Sequence, residues 1–188
     1  MILSGNRALF LDRDGVINHD SGYTSDVERF QFVDGIFDVC REARRLGYLL
    51  IVVTNQAGIG RGYYSEEDFS NLTKWMCERF EAEGAPIRDV FYCPYHPDYG
   101  VGDYMKDSFD RKPNPGMLLR AAEKYGIDLK SSIMIGDKKS DMQAAKKADI
   151  EVRCHYLPDA NSELLSDVAT QQVTSLRDVI PLLQKVRE

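Results

Sequence analysis

Residues 9–17 read LFLDRDGVI, and this stretch decides the fold. The apolar run at 8–11 is typical of a short β-strand that is buried on both faces. Two carboxylates, Asp12 and Asp14, follow the run at once, and Gly15 comes directly after them. A charge at the end of a buried strand is unfavourable unless another group binds it. The pattern therefore predicts a binding site at this end of the strand.

Similar buried-strand patterns recur along the chain and alternate with helical periods. The predicted strands cover 8–11, 48–53, 90–92, 133–135 and 151–155. The predicted helices cover 35–46, 65–83, 114–126, 141–148 and 176–186, and the predicted loops include 57–63 and 158–172. This alternation predicts an α/β fold with a doubly wound, mainly parallel, Rossmann-like sheet.

Length and composition limit the classes of protein that the chain can belong to. Its 188 residues predict a single domain, 1–188, with a long loop at about 94–113. The net charge of −6 argues against binding to nucleic acid or to an anionic membrane. The start has no signal-peptide pattern, and the four cysteines form no CxxC pair. We therefore expect a cytoplasmic protein.

Four polar clusters should meet at one edge of this sheet, because ligands bind at the carboxyl ends of parallel strands. They are DRDG at 12–15, TNQ at 54–56, RKP at 111–113, and GDK at 136–138 with Asp141 one turn further on. Carboxylate oxygens suit Mg²⁺, whereas lysine and hydroxyl donors suit a phosphoryl group. The four clusters together predict phosphoryl transfer, in which positioning and charge neutralisation supply most of the catalysis.

Each cluster also has a purely structural interpretation. Asp-Gly is a common turn, and GDxxxD is compatible with an ordinary helix N-cap. The joint occurrence of all four clusters, in this order and at predicted strand ends, favours the functional interpretation. A protein that binds a phosphorylated ligand without catalysis remains an alternative, because fold alone does not determine function.

The chain resembles the haloacid dehalogenase (HAD) superfamily of phosphatases over residues 8 to about 148. The resemblance lies in the segments FLDRDGVIN, DSGY, VVTNQAGIGRG, FYCP, RKPNPGML and GDKKSDMQAA. Within the superfamily these segments resemble the D-glycero-D-manno-heptose 1,7-bisphosphate phosphatases, which are related to the histidinol-phosphate phosphatases. The resemblance implies Mg²⁺-dependent removal of the 7-phosphate through an aspartyl-phosphate. The product, heptose 1-phosphate, would enter nucleotide-activated heptose and lipopolysaccharide synthesis. Histidinol phosphate is the alternative substrate, and a non-catalytic phosphosugar-binding protein is the alternative of another class.

The resemblance also implies a role for each matching residue. Asp12 would be the nucleophile and Asp14 the general acid and base. Mg²⁺ would be held by Asp12, the main-chain carbonyl of Asp14, and Asp137. Thr54 and Lys112 would stabilise the transferred phosphoryl group.

A second set of matching residues would bind the phosphorylated sugar. These residues are Asp20, Ser21, Gly22, Tyr23, Asn55, Gln56, Ala57, Arg111 and Lys138. Asp141 would orient the site. Arg61 would either contact a distal phosphate or remain a solvated loop residue, and His19 is expected to be an exposed loop residue.

The loop before RKP departs from the pattern of many relatives, which hold a structural zinc ion there. Cys93 and His96 are spaced one residue too far apart, and the second cysteine pair is replaced by Ser108 and Asp110. A closed zinc site usually needs four nitrogen or sulfur ligands. We therefore expect no zinc, with the loop either held by packing of Tyr92, Tyr95, Tyr99, Tyr104 and Phe109 or mobile. We also expect a monomer without a cap domain.

Overall fold

The computed structural model describes residues 5–159 and 167–185. They form a six-stranded sheet in which all neighbouring strands are parallel, in the order β3-β2-β1-β4-β5-β6. The strands are β1 (Arg7–Leu11), β2 (Tyr48–Asn55), β3 (Asp89–Cys93), β4 (Ile133–Gly136), β5 (Val152–Tyr156) and β6 (Gln171–Val173). The predicted α/β class with a parallel sheet is confirmed.

The described residues form six α-helices, and all but the short α2 contribute to the apolar clusters on the two faces of this sheet. They are α1 (Ile36–Arg45), α2 (Ala57–Gly60), α3 (Glu66–Ala82), α4 (Gly116–Tyr125), α5 (Lys139–Lys147) and α6 (Ile180–Lys185). Helix α3 begins at a capping box, in which the Ser65 side chain accepts a hydrogen bond from Asp68 N and the Asp68 side chain accepts one from Ser65 N. This start agrees with the prediction from the acidic first turn.

Strand β1 packs against both helical layers. Leu9 and Leu11 face the apolar cluster that α1, α3 and α6 supply, whereas Ala8 and Phe10 face the cluster of α4 and α5. All four side chains are fully buried. The period of two along a strand sends alternate side chains to opposite faces, so a central strand between two layers is apolar throughout.

The direction of chain winding reverses next to β1. The chain passes from β1 to β2 and β3 on one side, and then returns to β4, β5 and β6 on the other. Such a reversal opens a crevice beyond the carboxyl ends of the two strands that flank it. The backbone N–H of Asp12 donates to the Ile135 carbonyl of β4 at 3.1 Å, which fixes the first residue after β1 at this crevice.

Several elements differ from the sequence-based prediction. Strand β6 begins within the predicted loop 158–172 and ends just beyond it. No sequence pattern indicated this strand, because QQV has two exposed polar residues and forms an edge strand only by pairing with β5. Helix α2 lies inside the predicted loop 57–63, and α5 starts two residues early. A 3₁₀ turn, Leu176–Val179, precedes α6. Residues 160–166 and 186, part of two predicted elements, lie outside the described residues.

The long loop at 94–113 is held mainly by three of the five predicted aromatic residues. The hydroxyls of Tyr92 and Tyr104 donate to Glu66 at 2.9 and 2.8 Å, and the rings of Tyr95 and Tyr104 lie 6.0 Å apart. The prediction was wrong for Phe109, which is 63% exposed. An aromatic residue beside the acidic and basic side chains of 107–111 gives no sequence sign of which way it faces.

The described residues contain no additional folded unit between the strands that carry the polar clusters. Residues 15–53 contain α1, most of β2 and irregular segments, as expected of a chain without a cap domain. That 1–188 is a single domain stays a prediction. Over residues 5–159 and 167–185, every helix is too short or too polar to cross a bilayer.

Phe80 of α3 offers a test of the core. It is fully buried and its ring lies 5.0 Å from that of Phe37. Phe80→Ala should lower the free energy of unfolding by about 3–5 kcal/mol, because the change removes apolar contacts and leaves a cavity. Urea denaturation would measure the loss, with Leu119→Ala on the exposed side of α4 as the control. A loss below about 1 kcal/mol would contradict this packing.

Candidate active site

Three carboxylates converge beyond the ends of β1 and β4. Asp12 follows β1, Asp137 follows β4, and Asp141 lies in the first turn of α5. One oxygen from each lies within 4.8 Å of the others. Among the described residues, these three side chains form the group of potential metal ligands that lie close enough together to share one ion.

A buried lysine lies against this acid cluster. The Lys112 Nζ lies 2.9 Å from Asp12 Oδ1 and 2.6 Å from Asp141 Oδ1, and it donates to the Val53 carbonyl at 2.9 Å. Burial lowers the pKa of Lys112, but the two carboxylates outweigh burial and the pKa is raised overall. Lys112 therefore stays charged and supplies the positive charge that Asp12 and Asp141 require.

Asn55 holds the backbone of Lys112 in place. Its side-chain amide donates to the Lys112 carbonyl at 3.0 Å, and its side-chain oxygen accepts from Lys112 N at 3.0 Å. The predicted substrate residue Asn55 thus joins the end of β2 to the RKP segment. This link brings the second and third polar clusters together.

The acid cluster carries more negative charge than Lys112 balances. Burial raises the pKa of Asp137 to about 8, with a further contribution from Asp12. Burial also raises the pKa of Asp12 to about 6, although Lys112 opposes the rise. Asp137 Oδ1 is buried and has no hydrogen-bond partner among the described residues. These acidic oxygens fit a hard divalent cation, which would supply the missing positive charge.

Gly15 leaves the space that Asp137 occupies. A Cβ at Gly15 would lie 2.2 Å from Asp137 Oδ2, and the φ of Gly15 is +91°. Both the close approach and the backbone conformation therefore require glycine here. The Asp-Gly turn in the opening stretch thus serves the packing of the acid cluster as well as the turn.

Asp14 lies in a different environment from Asp12, among hydrogen-bond donors. The guanidinium of Arg13 pairs with its carboxylate at 2.9 Å, and Asn18 Nδ2 and Gln56 Nε2 donate to it at 3.1 and 2.9 Å. Arg13 is 1% exposed, and its Nη2 also donates to the Thr24 carbonyl. The sequence analysis missed this role of Arg13, because nothing in DRDG indicates that the arginine is buried.

A cavity of about 540 Å³ opens onto these side chains. It contains most of the predicted substrate residues in its wall, namely Asp20, Gly22, Tyr23, Asn55, Gln56, Ala57, Arg111 and Lys138. Ser21 does not line it, and its hydroxyl lies 3.0 Å from that of Thr24. Thr54 is buried beside the cavity, and its Oγ1 accepts from Gln56 Nε2 at 2.8 Å.

Arg111 and Lys138 supply positive charge to the cavity wall, and Arg61 lies near Arg111. Lys138 Nζ lies 3.1 Å from Asp20 Oδ2. Arg111 Nη1 donates to the Tyr95 carbonyl at 3.2 Å, and burial together with the nearby Arg61 lowers the pKa of Arg111. The Arg61 guanidinium lies 4.4 Å from the centre of the Tyr99 ring. These side chains give an anionic ligand cationic groups to contact, beside the aspartates that also line the cavity.

His155 supports the site in a way that the sequence analysis missed. Its Nε2 lies 3.0 Å from the main-chain carbonyl of Asp137, and the residue is 2% exposed. His155 pairs with Gly136 across β4 and β5. A polar residue at the end of a buried strand was the available signal. His19, by contrast, is exposed as predicted.

Two of the side chains at the place of the zinc site of relatives, His96 and Asp110, already have partners. His96 Nδ1 accepts hydrogen bonds from Asp98 N and Tyr99 N at 3.2 and 3.3 Å. Asp110 pairs with Arg120. These contacts favour the expectation that no zinc binds, which stays a prediction.

The parallel sheet with acids at the ends of β1 and β4 defines a HAD-like hydrolase. The HAD-hydrolase-like family model matches residues 109–153. The chain is 52% identical over 178 residues to D-glycero-alpha-D-manno-heptose-1,7-bisphosphate 7-phosphatase of Burkholderia mallei, covering 95% of this chain and 94% of the relative. It is 43% identical to the beta-heptose 7-phosphatase of Vibrio cholerae, covering 96% of this chain and 98% of the relative. The chain therefore belongs to the D-glycero-D-manno-heptose-1,7-bisphosphate 7-phosphatase family.

A solved structure has the same fold. It is the D,D-heptose 1,7-bisphosphate phosphatase from B. bronchiseptica, complexed with magnesium and phosphate. The TM-score is 0.79 at 24% identity, and the match covers 95% of this chain and 98% of that one. The predicted superfamily and the predicted fold are both confirmed.

The raised pKa values of Asp12 and Asp137 predict a stability that depends on pH and on metal. The folded pKa values, about 6 and about 8, lie above the ordinary 3.8, so protonation stabilises the folded chain at low pH. With metal chelated, the stability contributed by these groups should be complete below about pH 4 and lost as pH rises towards 8. Mg²⁺ should restore it at pH 8 by binding the folded state.

Thermal unfolding in EDTA and in Mg²⁺ at pH 5 and pH 8 would test this dependence. We expect Mg²⁺ to raise the melting temperature at pH 8 by on the order of 5 °C, and by much less at pH 5. Asp137→Asn is the control, because it removes one titrating group and one proposed ligand. Equal effects of Mg²⁺ on this variant and on the wild type would contradict the interpretation.

Proposed function

We propose that the protein is a Mg²⁺-dependent phosphatase that removes the 7-phosphate of D-glycero-D-manno-heptose 1,7-bisphosphate and releases heptose 1-phosphate. One observation carries the proposal: the buried carboxylate of Asp12 faces Lys112 at 2.9 Å and shares the acid cluster with Asp137. The names of the relatives from Burkholderia mallei and Vibrio cholerae support the substrate.

Asp12 starts the reaction in this proposal. One of its carboxylate oxygens attacks phosphorus, and the bond from phosphorus to the C7 oxygen breaks. Asp14 gives its proton to the leaving C7 oxygen, so the sugar departs as an alcohol. The phosphoryl group is then covalently bound to Asp12 as an aspartyl-phosphate.

Water completes the cycle. Asp14, now a carboxylate, takes a proton from a water molecule as the water oxygen attacks phosphorus. The bond between phosphorus and the Asp12 oxygen breaks, which releases inorganic phosphate and restores both acids to their starting forms. Lys112 and Thr54 stabilise the charge on the phosphoryl oxygens in both steps.

The acid cluster would hold Mg²⁺ through Asp12, Asp137 and the main-chain carbonyl of Asp14. A bound ion would offset the negative charges of the phosphate and of Asp12, which otherwise repel each other. The magnesium and phosphate bound to the B. bronchiseptica protein support this choice of ion. Asp141 pairs with Lys112 Nζ at 2.6 Å and accepts a hydrogen bond from Lys138 N at 2.9 Å. These contacts suit a residue that orients the site.

The cavity wall would select the sugar. Arg111 and Lys138 line the cavity and carry positive charge suited to the phosphate that remains on the product. Asp20, Gly22, Tyr23 and Ala57 would contact the heptose itself. Ser21 would act through the shape of this segment, because its side chain does not line the cavity.

The proposal also covers partners and location. The partner is a small phosphorylated sugar, and the net charge of −6 gives no attraction to nucleic acid or to anionic lipid. We propose that the protein works as a monomer without zinc in the cytoplasm. Its product would feed the synthesis of a nucleotide-activated heptose for lipopolysaccharide.

Replacing either catalytic acid should abolish turnover. Asp12→Asn removes the nucleophile, and Asp14→Asn removes the proton donor and acceptor, which typically supplies about 10²–10⁴-fold in rate. Phosphate release from the heptose bisphosphate in Mg²⁺ is the measurement. Asp149→Asn is a matched control, since its side chain is 80% exposed. An Asp12→Asn variant that retained substantial turnover would exclude the aspartyl-phosphate route.

A comparison of substrates separates this proposal from its alternatives. We expect kcat/KM for one anomer of the heptose bisphosphate to exceed that for histidinol phosphate by at least about 10²-fold, because only the bisphosphate engages the distal cations. Both anomers should be measured side by side. A preference for histidinol phosphate would support the related phosphatase instead. No turnover of any phosphomonoester would support a binding protein.

A further inference from the structure

Gln56 lies at the junction of the two halves of the site. Its side chain is buried, and the residue is 1% exposed. The Nε2 group donates to Asp14 Oδ2 at 2.9 Å and to Thr54 Oγ1 at 2.8 Å. One amide group thus contacts Asp14, the proposed general acid and base, and also Thr54, which is proposed to stabilise the phosphoryl group.

The hydroxyl of Tyr64 holds the other end of this amide. It donates to Gln56 Oε1 at 2.5 Å. Burial raises the pKa of Tyr64 to about 12, so the hydroxyl keeps its proton at neutral pH and remains a donor. An amide whose oxygen is already bound to a hydroxyl must present its NH₂ group to the opposite side. Tyr64 therefore favours the amide orientation that donates to Asp14.

The ring of Tyr64 has a closely fitted position. It packs in an apolar cluster with Ile59 and Phe69. A Cβ at Gly58 would lie 2.2 Å from Tyr64 Cε1. The absence of a side chain at Gly58 is therefore what lets the ring approach Gln56. Tyr64 also lines the cavity, although no motif in the sequence indicated it.

We propose that Tyr64 is a positioning residue that acts through Gln56 to orient the carboxyl of Asp14 and the hydroxyl of Thr54. This inference rests on the proposed function, in which Asp14 transfers the proton. It gives Gln56, which also lines the cavity, a positioning role beside the substrate contact that the resemblance implies. Tyr64 itself transfers no proton and forms no bond to the substrate.

Because Asp14 protonates the leaving group, the effect of misplacing Asp14 on the rate should depend on which group leaves. An alkyl oxygen, such as C7–O of a heptose, leaves well only if it receives a proton as its bond to phosphorus breaks. A p-nitrophenolate is a stable anion and leaves without that proton. A misplaced Asp14 should therefore slow phosphoryl transfer from a sugar ester much more than from p-nitrophenyl phosphate.

Tyr64→Phe tests the proposal with a minimal change. We expect kcat/KM for the heptose bisphosphate to fall roughly tenfold, and that for p-nitrophenyl phosphate to fall less than about threefold. KM for the bisphosphate should change little. The matched control is Tyr125→Phe, which loses a hydroxyl that donates to Asp89 at 2.7 Å away from the cavity and should retain full activity.

A double-variant cycle tests whether Tyr64 acts through Gln56. Gln56→Met keeps the length of the side chain and removes the amide. If the hydroxyl acts only by orienting that amide, adding Tyr64→Phe to Gln56→Met should cause no further loss. If the fold-losses of the two single variants instead multiply in the double variant, Tyr64 acts independently of Gln56 and the proposal is overturned.

The remaining outcomes are also informative. Equal losses for the sugar ester and for p-nitrophenyl phosphate, or no loss for either, would overturn the positioning role. A wild type that hydrolyses phosphate esters but not the heptose bisphosphate would contradict the proposed function. In that case Tyr64→Phe can still be compared on whichever alkyl phosphate the wild type uses. The two failures are therefore distinguishable.

Discussion

The interaction between buried carboxylates and one buried lysine constrains the rest of the site. Asp12 and Asp141 both lie within 2.9 Å of the Lys112 ammonium, and Asp137 adds a third acid to the same cluster. Buried charges are costly unless they are paired. The lysine must therefore be held in place, and the remaining negative charge must be balanced by a cation bound from solution. The amide of Asn55 fixes the lysine backbone, and the space beside Gly15 admits Asp137.

The sheet supplies the rigidity that this arrangement needs. Apolar strands packed on both faces hold β1 and β4 side by side, and the reversal of chain direction leaves their ends open. Asp12 and Asp137 thus lie directly after the buried strands β1 and β4, where the backbone has little freedom. Geometry held this closely favours phosphoryl transfer, because much of the catalysis comes from positioning and fixed charge.

The same short segment places two aspartates in opposite electrostatic surroundings. Asp12 faces other acids and a lysine, and burial raises its pKa to about 6. Asp14 faces the donors of Arg13, Asn18 and Gln56. Different surroundings let two identical side chains take different chemical roles. In our proposal one forms the covalent bond to phosphorus, and the other moves the protons.

The sequence by itself determined the α/β class, the central strands and the meeting of the polar clusters, because period and strand-end position are local properties. Tertiary structure decided what depends on distant partners. Strand β6 forms by pairing with β5 despite its polar sequence, and Phe109 stays exposed although it is aromatic. The burial of Arg13 and the bond from Tyr64 to Gln56 likewise arise from contacts between separate segments. Local pattern cannot encode these contacts, since a side chain's environment is set by whichever residues folding brings beside it.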